Sequence, residues 1–239
     1  MNYCDLTLAT PEENLACDEA LLELCEEGLG DEVLRFWEPV QYFVVVGYAN
    51  KVATEVNVPF CRQQGLPIRR RCSGGGTVLQ GPGCLNYALI LRIDQSRPLQ
   101  SVSSTNRFVL ERHRAVLGGL LQGPVQTPGP TDLALGGRKF SGNAQRRKRR
   151  ALLFHGTFLL QFDLALVEQA LPMPSKQPDY RANRSHSHFL VNLAVPAPQV
   201  KSALSRAWQA AAPLAEIPSE RIGLLTRDKY ASPGWNLKF

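Results

Sequence analysis

Hydrophobic and polar positions alternate with two different periods along this chain. In 15–27 the apolar residues Leu15, Leu21, Leu22 and Cys25 make a broad stripe at helical spacing. Pro11-Glu12-Glu13-Asn14 precedes it, and Gly28 with Gly30 stops it. The pattern then shortens. Segments 34–37 and 42–46 predict strands separated by a turn at Pro39, and the second is apolar at successive positions, as a central strand buried on both faces would be. A strand over 67–71 leads into a glycine-rich loop, and 85–91 predicts another strand. Over 105–121 a helical stripe returns with Phe108, Val109, Leu110, Val116, Leu117 and Leu120. Segments 132–135 and 138–141 read as two short strands joined by Gly136-Gly137, a strong hairpin signal. Strand-like runs follow at 151–154 and 157–162, then helices at 164–171 and 200–212, and a tail from Pro213 of short helix or coil. Strands dominate the middle and helices flank it. This predicts one domain spanning 1–239, of α/β class in its α+β form, with a central mixed, largely antiparallel sheet flanked by helices.

Composition narrows the class. With 239 residues, 44% hydrophobic and 20% charged, the chain can build a sizeable core and is not disordered. No apolar run is long enough for a spanning helix, so no membrane partner is expected. The first residues lack a basic and then apolar leader pattern, which argues for a cytoplasmic protein. All six cysteines lie within the first 84 residues and none forms a Cys-x-x-Cys pair, so they are expected as reduced thiols. The net charge of +6 is concentrated in Arg69-Arg70-Arg71 and in Arg146-Arg147-Lys148-Arg149-Arg150. Such patches suit an anionic ligand or an acidic partner. A nucleic-acid-binding module is the reading from another class, but the second block has no interleaved aromatic and no reader motif. Its simplest reading is a solvated loop between two strands.

Two segments carry candidate chemistry. In Arg70-Arg71-Cys72-Ser73-Gly74-Gly75-Gly76-Thr77-Val78, three glycines let the backbone approach a ligand closely, and their N–H groups can gather round an anion. Arg71 adds a forked cation suited to phosphate or carboxylate. The loop is neither a P-loop nor a dinucleotide turn, and a mobile surface turn would account for it equally well. In Asp132-Leu133-Ala134-Leu135-Gly136-Gly137-Arg138-Lys139-Phe140-Ser141-Gly142, strand alternation would put Lys139 and Ser141 on one face and Arg138 and Phe140 on the other. A lysine on an inner face calls for an anion, and Asp132 beside it suits magnesium. An exposed hairpin with a surface lysine is the plainer alternative.

Taken in order, Arg70 to Val78, then Leu85-Asn86-Tyr87, then Gly137-Arg138-Lys139-Phe140-Ser141-Gly142-Asn143-Ala144-Gln145, then His155-Gly156-Thr157 closely resemble the lipoate–protein ligase family, which is related to biotin ligases and octanoyltransferases. The segments 14–22, 47–50, 183–186 and 230–235 resemble the family as well, so the likeness spans nearly the whole chain. The resemblance implies an α/β catalytic domain that holds lipoate and ATP in one pocket. ATP and Mg2+ would serve as co-substrate and activator, with no tightly bound prosthetic group. Lipoate would be activated to lipoyl-AMP. The acyl group would then pass to a lysine of a lipoyl-acceptor domain, as in 2-oxoacid dehydrogenases or the glycine-cleavage carrier.

The same resemblance distributes roles. The catalytic lysine maps to Lys139, and the nucleotide contacts map to Arg71, Gly76, Thr77, Val78, Leu79 and Lys139. Lipoate would lie against Arg71, Ser73, Gly74, Gly75, Lys139, Gly142, His155 and Gly156, and Asp132 would stand near magnesium. Physical chemistry agrees with these roles, because forming an acyl phosphate brings two anions together and needs cations rather than a protein nucleophile. Tyr42 to Val46 and the glycines would wall the acyl slot.

Three departures modify the expectation. Phe154 stands where ligases often have a first histidine, and Thr131 stands where Asn is common. The chain ends at Phe239, where many ligases continue into an accessory domain, so a separate accessory protein, or a role in transfer alone, is implied. A transferase of this superfamily would use a cysteine near 127–131 or near 171–175, and neither stretch has one. Cys72 and Cys84 are nearest in sequence to the motifs and read best as small buried residues. Lipoyl-acceptor domains are usually acidic, so the 146–150 block would steer that partner. His186 and His188 read as polar loop residues, His155 as a structural hydrogen-bonder below the pocket, and the protein as a monomer.

Overall fold

The computed structural model describes residues 1–121 and 123–239. In chain order the elements are β1 (Asn2–Asp5), α1 (Pro11–Glu27), β2 (Val33–Trp37), β3 (Phe43–Val46), α2 (Val52–Glu55), α3 (Val58–Gln63), β4 (Ile68–Arg70), β5 (Val78–Gln80), β6 (Cys84–Arg92), α4 (Val102–Gly118), β7 (Val125–Gln126), β8 (Asp132–Leu135), β9 (Arg138–Arg147), β10 (Ala151–Leu159), α5 (Leu164–Ala170), α6 (His186–Phe189), α7 (Ala197–Ala207), β11 (Ala212–Pro213), α8 (Ser219–Leu225) and α9 (Pro233–Asn236). A 3₁₀ turn, Asp179–Arg181, precedes α6, and a π-helical turn, Thr226–Tyr230, follows α8.

Eight strands form one sheet in the order β11-β1-β2-β6-β10-β9-β8-β7. Strand β1 is parallel to β11 and β2, and the remaining pairs are antiparallel. The expected mixed, largely antiparallel sheet with flanking helices is therefore present. A second sheet, β4-β3-β5, stands apart from it. Strand β3 is central, as its apolar run predicts, but central to this small sheet. Its Val44 and Val46 face one core and its Phe43 and Val45 another.

Local chemistry explains most boundaries. Helix α1 opens on a Thr10–Glu13 capping box with Pro11 in its first turn, and closes on Gly28 at φ +79°. Helix α4 starts at the Ser101–Ser104 capping box, three residues before the apolar stripe suggests, because capping rather than periodicity sets its start. Strand β10 runs unbroken through His155-Gly156, where the sequence pattern predicts two separate strands.

The large sheet is buried on both faces. On β6, Leu85, Tyr87, Leu89 and Leu91 pack with α4 and α7, alongside Phe154, Phe158 and Leu204. Ala88 and Ile90 point the other way, toward α1 and the small sheet, with Leu22, Trp37 and Val45. A third cluster joins Val44 and Val46 to Phe162 and Val167. Among the described residues, no helix is long and apolar enough to cross a membrane.

The basic block 146–150 is only in part the expected loop between two strands: 148–150 join β9 to β10, with Arg149 and Arg150 exposed. Arg146 and Arg147 belong to β9, and alternation sends them to opposite faces. Arg147 donates to the Leu99 carbonyl at 2.6 Å and to Thr105 Oγ1 at 3.0 Å, which fastens α4 to the sheet. Arg146 lies over the Tyr48 ring at 5.8 Å. Lys148 pairs with Glu23 at 3.3 Å, and the backbone N–H groups of Arg149 and Arg150 donate to Glu26. Arg147 and Lys148 are thus tied into the fold, while Arg146, Arg149 and Arg150 stay exposed.

Candidate active site

The glycine loop joins β4 to β5, the two outer strands of the small sheet. Gly75 sits at φ +86°, a left-handed conformation suited to glycine. A Cβ on Gly47 would lie 2.1 Å from the Gly75 carbonyl oxygen, so the loop packs directly on bare backbone. Around Gly74 and Gly76 the space a Cβ would occupy is open. No neighbouring side chain fills the space beside the backbone at those two positions.

Arg71 corrects an expectation. Its Nε donates to Ser73 Oγ and to the Gly74 carbonyl, each at 3.1 Å, and its Nη2 donates to the Gly74 and Gly76 carbonyls at 2.6 Å each. Much of the forked donor set meant for a ligand anion is spent on shaping the loop. Burial draws its pKa down to about 10, and it remains charged at neutral pH.

Behind the loop runs a hydrogen-bonded chain. Ser73 Oγ lies 2.5 Å from His155 Nε2, and His155 Nδ1 lies 3.4 Å from Asp18 Oδ2. Asp18 Oδ1 in turn accepts from Arg35 Nη1 at 2.6 Å. Because Asp18 draws the proton to Nδ1, His155 Nε2 accepts from the Ser73 hydroxyl. The serine is fully buried and does not line the cavity. The chain therefore ties the loop to β10, α1 and β2. His155 is a structural hydrogen-bonder as expected, although it also lines the cavity wall.

The lysine hairpin also departs from simple alternation. The register pairs Ala134 with Lys139 and Leu133 with Ser141, so Phe140 is an extra residue, a β-bulge. Asp132 pairs directly with Gly142. Lys139 thus shares a face with Gly142 and Asp132, while Ser141 goes to the face it was predicted to avoid, buried near Phe158. Lys139 Nζ lies 2.8 Å from Asp132 Oδ1. It also occupies the space above Gly142, 2.8 Å from where a Cβ there would stand. Asp132 Oδ2 accepts from the Tyr180 hydroxyl at 2.7 Å. Burial, then the carboxylate, pushes the Tyr180 phenol well above its ordinary range, so it stays a donor. Gly156 has a packing reason too, because a Cβ would strike the Asn143 amide oxygen. That oxygen accepts from Tyr87 at 2.5 Å, while Asn143 Nδ2 donates to the Thr131 carbonyl at 2.7 Å and holds the start of β8.

These elements surround a cavity of about 850 Å³. Arg71, Gly74, Gly75, Gly76, Thr77, Val78, Leu79, Asp132, Lys139, Gly142, His155 and Gly156 all line it. The sequence did not point to Asp18, Trp37, Asn143, Tyr180 or Arg181. Of these only Asp18, a carboxylate inside an apolar helical stripe, carried a legible signal. The cavity has two apolar walls drawn from different cores: Leu15, Trp37, Val45 and Cys72 on one side, Leu79, Phe162, Val167 and Leu171 on the other. Among the described residues, seven buried side-chain polar atoms lack a hydrogen-bond partner, and four of them, on Trp37, Thr77, Ser141 and Arg181, belong to cavity-lining residues. Buried polar groups are normally paired, so those that border the cavity are open to completion by a bound group. Cys72 and Cys84 are buried, and burial pushes each thiol up to about 12, far from a thiolate at neutral pH. His186 Nε2 bonds the Pro172 carbonyl and His188 Nδ1 bonds Ser185, both in the chain's own loop.

Residues 10–207 match the family model of the lipoyl protein ligase A/B catalytic domain. The chain belongs to this family. Among curated relatives of the lipoyl ligase family, it is 27% identical to the octanoyltransferase LipM of Brevibacillus brevis, over 96% of this chain and 95% of that one. It is 34% identical to a putative lipoate-protein ligase A of Aeropyrum pernix, over 68% of this chain and 59% of that one. A solved bi-partite lipoate protein ligase of Thermoplasma acidophilum, studied with its E2 lipoyl domain, superposes with a TM-score of 0.81 at 23% identity, over 99% of this chain and 96% of that one. A lipoate-protein ligase A bound with ATP superposes with a TM-score of 0.80 at 24% identity, over 99% of each chain. These superpositions establish the shared catalytic fold.

Proposed function

We propose that the chain is an ATP-dependent lipoate–protein ligase catalytic domain. The observation that carries this reading is the Lys139 ammonium, held by Asp132 at 2.8 Å in the wall of a cavity that also contains the glycine loop and two separate apolar walls. One wall suits an acyl chain and the other a nucleotide base, and the volume falls within the range of ligand pockets. In the first step the acid's carboxylate oxygen bonds to the α-phosphorus of ATP and pyrophosphate leaves. In the second, an acceptor lysine's amine bonds to the acyl carbon, AMP leaves, and the amine's proton passes to solvent. Lys139 offsets the charge of both anions and polarises the acyl carbonyl, and the fixed loop excludes water. Asp132, with ATP's own phosphate oxygens, is the group that would hold Mg2+. A single carboxylate is enough for that ion, which would neutralise phosphate charge.

The ATP-bound structural neighbour supports the nucleotide, and the bi-partite Thermoplasma ligase supports a separate accessory subunit and a lipoyl-domain acceptor. The LipM relative favours a second reading, acyl transfer without ATP. Against it stand the high thiol pKa values of Cys72 and Cys84 and the absence of any cysteine beyond Cys84.

The test is to incubate the chain with ATP, Mg2+ and lipoate or octanoate, with and without a lipoyl acceptor domain, and to follow pyrophosphate release and acceptor mass. The ligase reading expects pyrophosphate that depends on the acid. Lys139→Ala should lose roughly 10²–10³-fold in both adenylate and product. Acyl transfer from a thioester donor with no pyrophosphate release would establish the transferase instead.

A further inference from the structure

Arg35, Arg70, Arg71 and Arg181 are the buried arginines. Arg35 meets Asp18 and three oxygens of residues 6 and 14. Arg70 meets backbone carbonyls, and Arg71 meets the glycine loop. Arg181 differs. It is 4% exposed and lines the cavity, its Nε donates to the Arg184 carbonyl at 3.0 Å, and its Nη2 has no partner. Among the described residues no carboxylate lies within ion-pair distance of it. The Phe189 ring lies 4.7 Å from the guanidinium and holds it in place. A buried cation with an unused donor is costly unless an anion completes it.

Its position indicates which anion. Arg181 closes the 3₁₀ turn whose middle residue, Tyr180, bonds Asp132, the partner of Lys139. The next two residues, Ala182 and Asn183, are held in the left-handed region at φ +49° and +57°. One short turn thus fixes the Lys139 pair and carries a further cation into the same cavity, on the side of α6.

We propose that Arg181 binds a terminal phosphate group of the nucleotide, complementing Lys139 and holding the pyrophosphate as it leaves. This extends the ATP reading above and rests on it. A forked guanidinium suits two phosphate oxygens, and its charge-assisted bonds favour a polyphosphate over a carboxylate of lower charge.

The experiment is titration calorimetry of the whole chain with inorganic pyrophosphate, with ATP and with octanoate. Three proteins are compared: wild type, R181M, which keeps an apolar stem on Phe189, and R181K. R181M is expected to weaken pyrophosphate and ATP by about 10–100-fold, to leave octanoate within about twofold, and to be partly rescued in R181K. Unchanged pyrophosphate binding in R181M overturns the proposal, and so does an equal loss of octanoate. If wild type binds pyrophosphate but not ATP, the ligase reading falls while Arg181 is still judged on pyrophosphate. If wild type binds neither, both fall. Should R181M not fold, R181Q replaces it under the same criteria.

Discussion

At the residue scale, the site depends on what each polar side chain finds opposite it. Lys139 and Asp132 were legible through the order of the motifs around them, because the hairpin residues alone fit a surface lysine equally plainly. Tyr180 was not legible, since nothing in a proline-flanked loop says that its hydroxyl reaches a strand 48 residues earlier. Its removal is a clean test. Tyr180→Phe keeps the ring on Phe189 and deletes one donor to Asp132, which leaves the carboxylate free to rotate away from Lys139. We expect kcat to fall roughly 3–10-fold with the KM for the acid nearly unchanged, a loss of one hydrogen bond to a charged group. A matching rise in KM would mean that the tyrosine binds substrate instead. Arg71 carries the opposite lesson. Its residue type suits an anion, but much of its donor set goes to the carbonyls of its own loop.

At the element scale, helix packing brings in a pH dependence that the motifs do not suggest. On α4, His113 is fully buried, accepts a hydrogen bond from Trp208 at the end of α7, and stacks edge-on against Tyr87. Burial lowers its pKa to about 3, with nearby Arg112 adding to the effect. The folded protein holds this imidazole neutral, while the unfolded chain protonates it near pH ~6.5. The unfolded state therefore binds the extra proton between those values. Stability is full above pH ~6.5 and is lost as pH falls through that window, at up to about 1.4 kcal/mol per pH unit from this group. Urea denaturation at pH 7.5, 6.5, 5.5 and 5.0 should show this slope, and His113→Leu should flatten it, although it also loses the Trp208 hydrogen bond. An unchanged slope would assign the acid sensitivity to other groups. The helices themselves were legible because stripes and caps are local. The β9 bulge at Phe140 was not, because it is set by pairing with β8, and it decides which side chain Lys139 faces.

At the scale of the whole molecule, the C-terminal segment completes the site from outside. Arg70 is wholly buried and donates to the carbonyls of Gly47, Tyr48, Asn50, Trp235 and Asn236. Trp235 Nε1 returns a bond to the Arg70 carbonyl at 2.8 Å. One guanidinium thus clamps the chain end to the turn that supports the glycine loop. Arg70→Met would leave five carbonyls without this donor, and should cost about 3 kcal/mol in chemical denaturation while exposing 226–239 to limited proteolysis. Resistance equal to wild type would show that the aromatic packing around Trp235 holds the tail alone. The sequence by itself determined the kinds of element, the hairpin, the glycine turn and the residue types that meet anions, because propensity, capping and turn chemistry act over a few neighbouring residues. Only tertiary structure decided which arginine is free and which is consumed, that the basic run is split between two faces, that Tyr180 reaches Asp132 and that Arg181 lines the cavity. Those outcomes depend on burial and on partners distant in sequence, and neither is encoded in any local pattern.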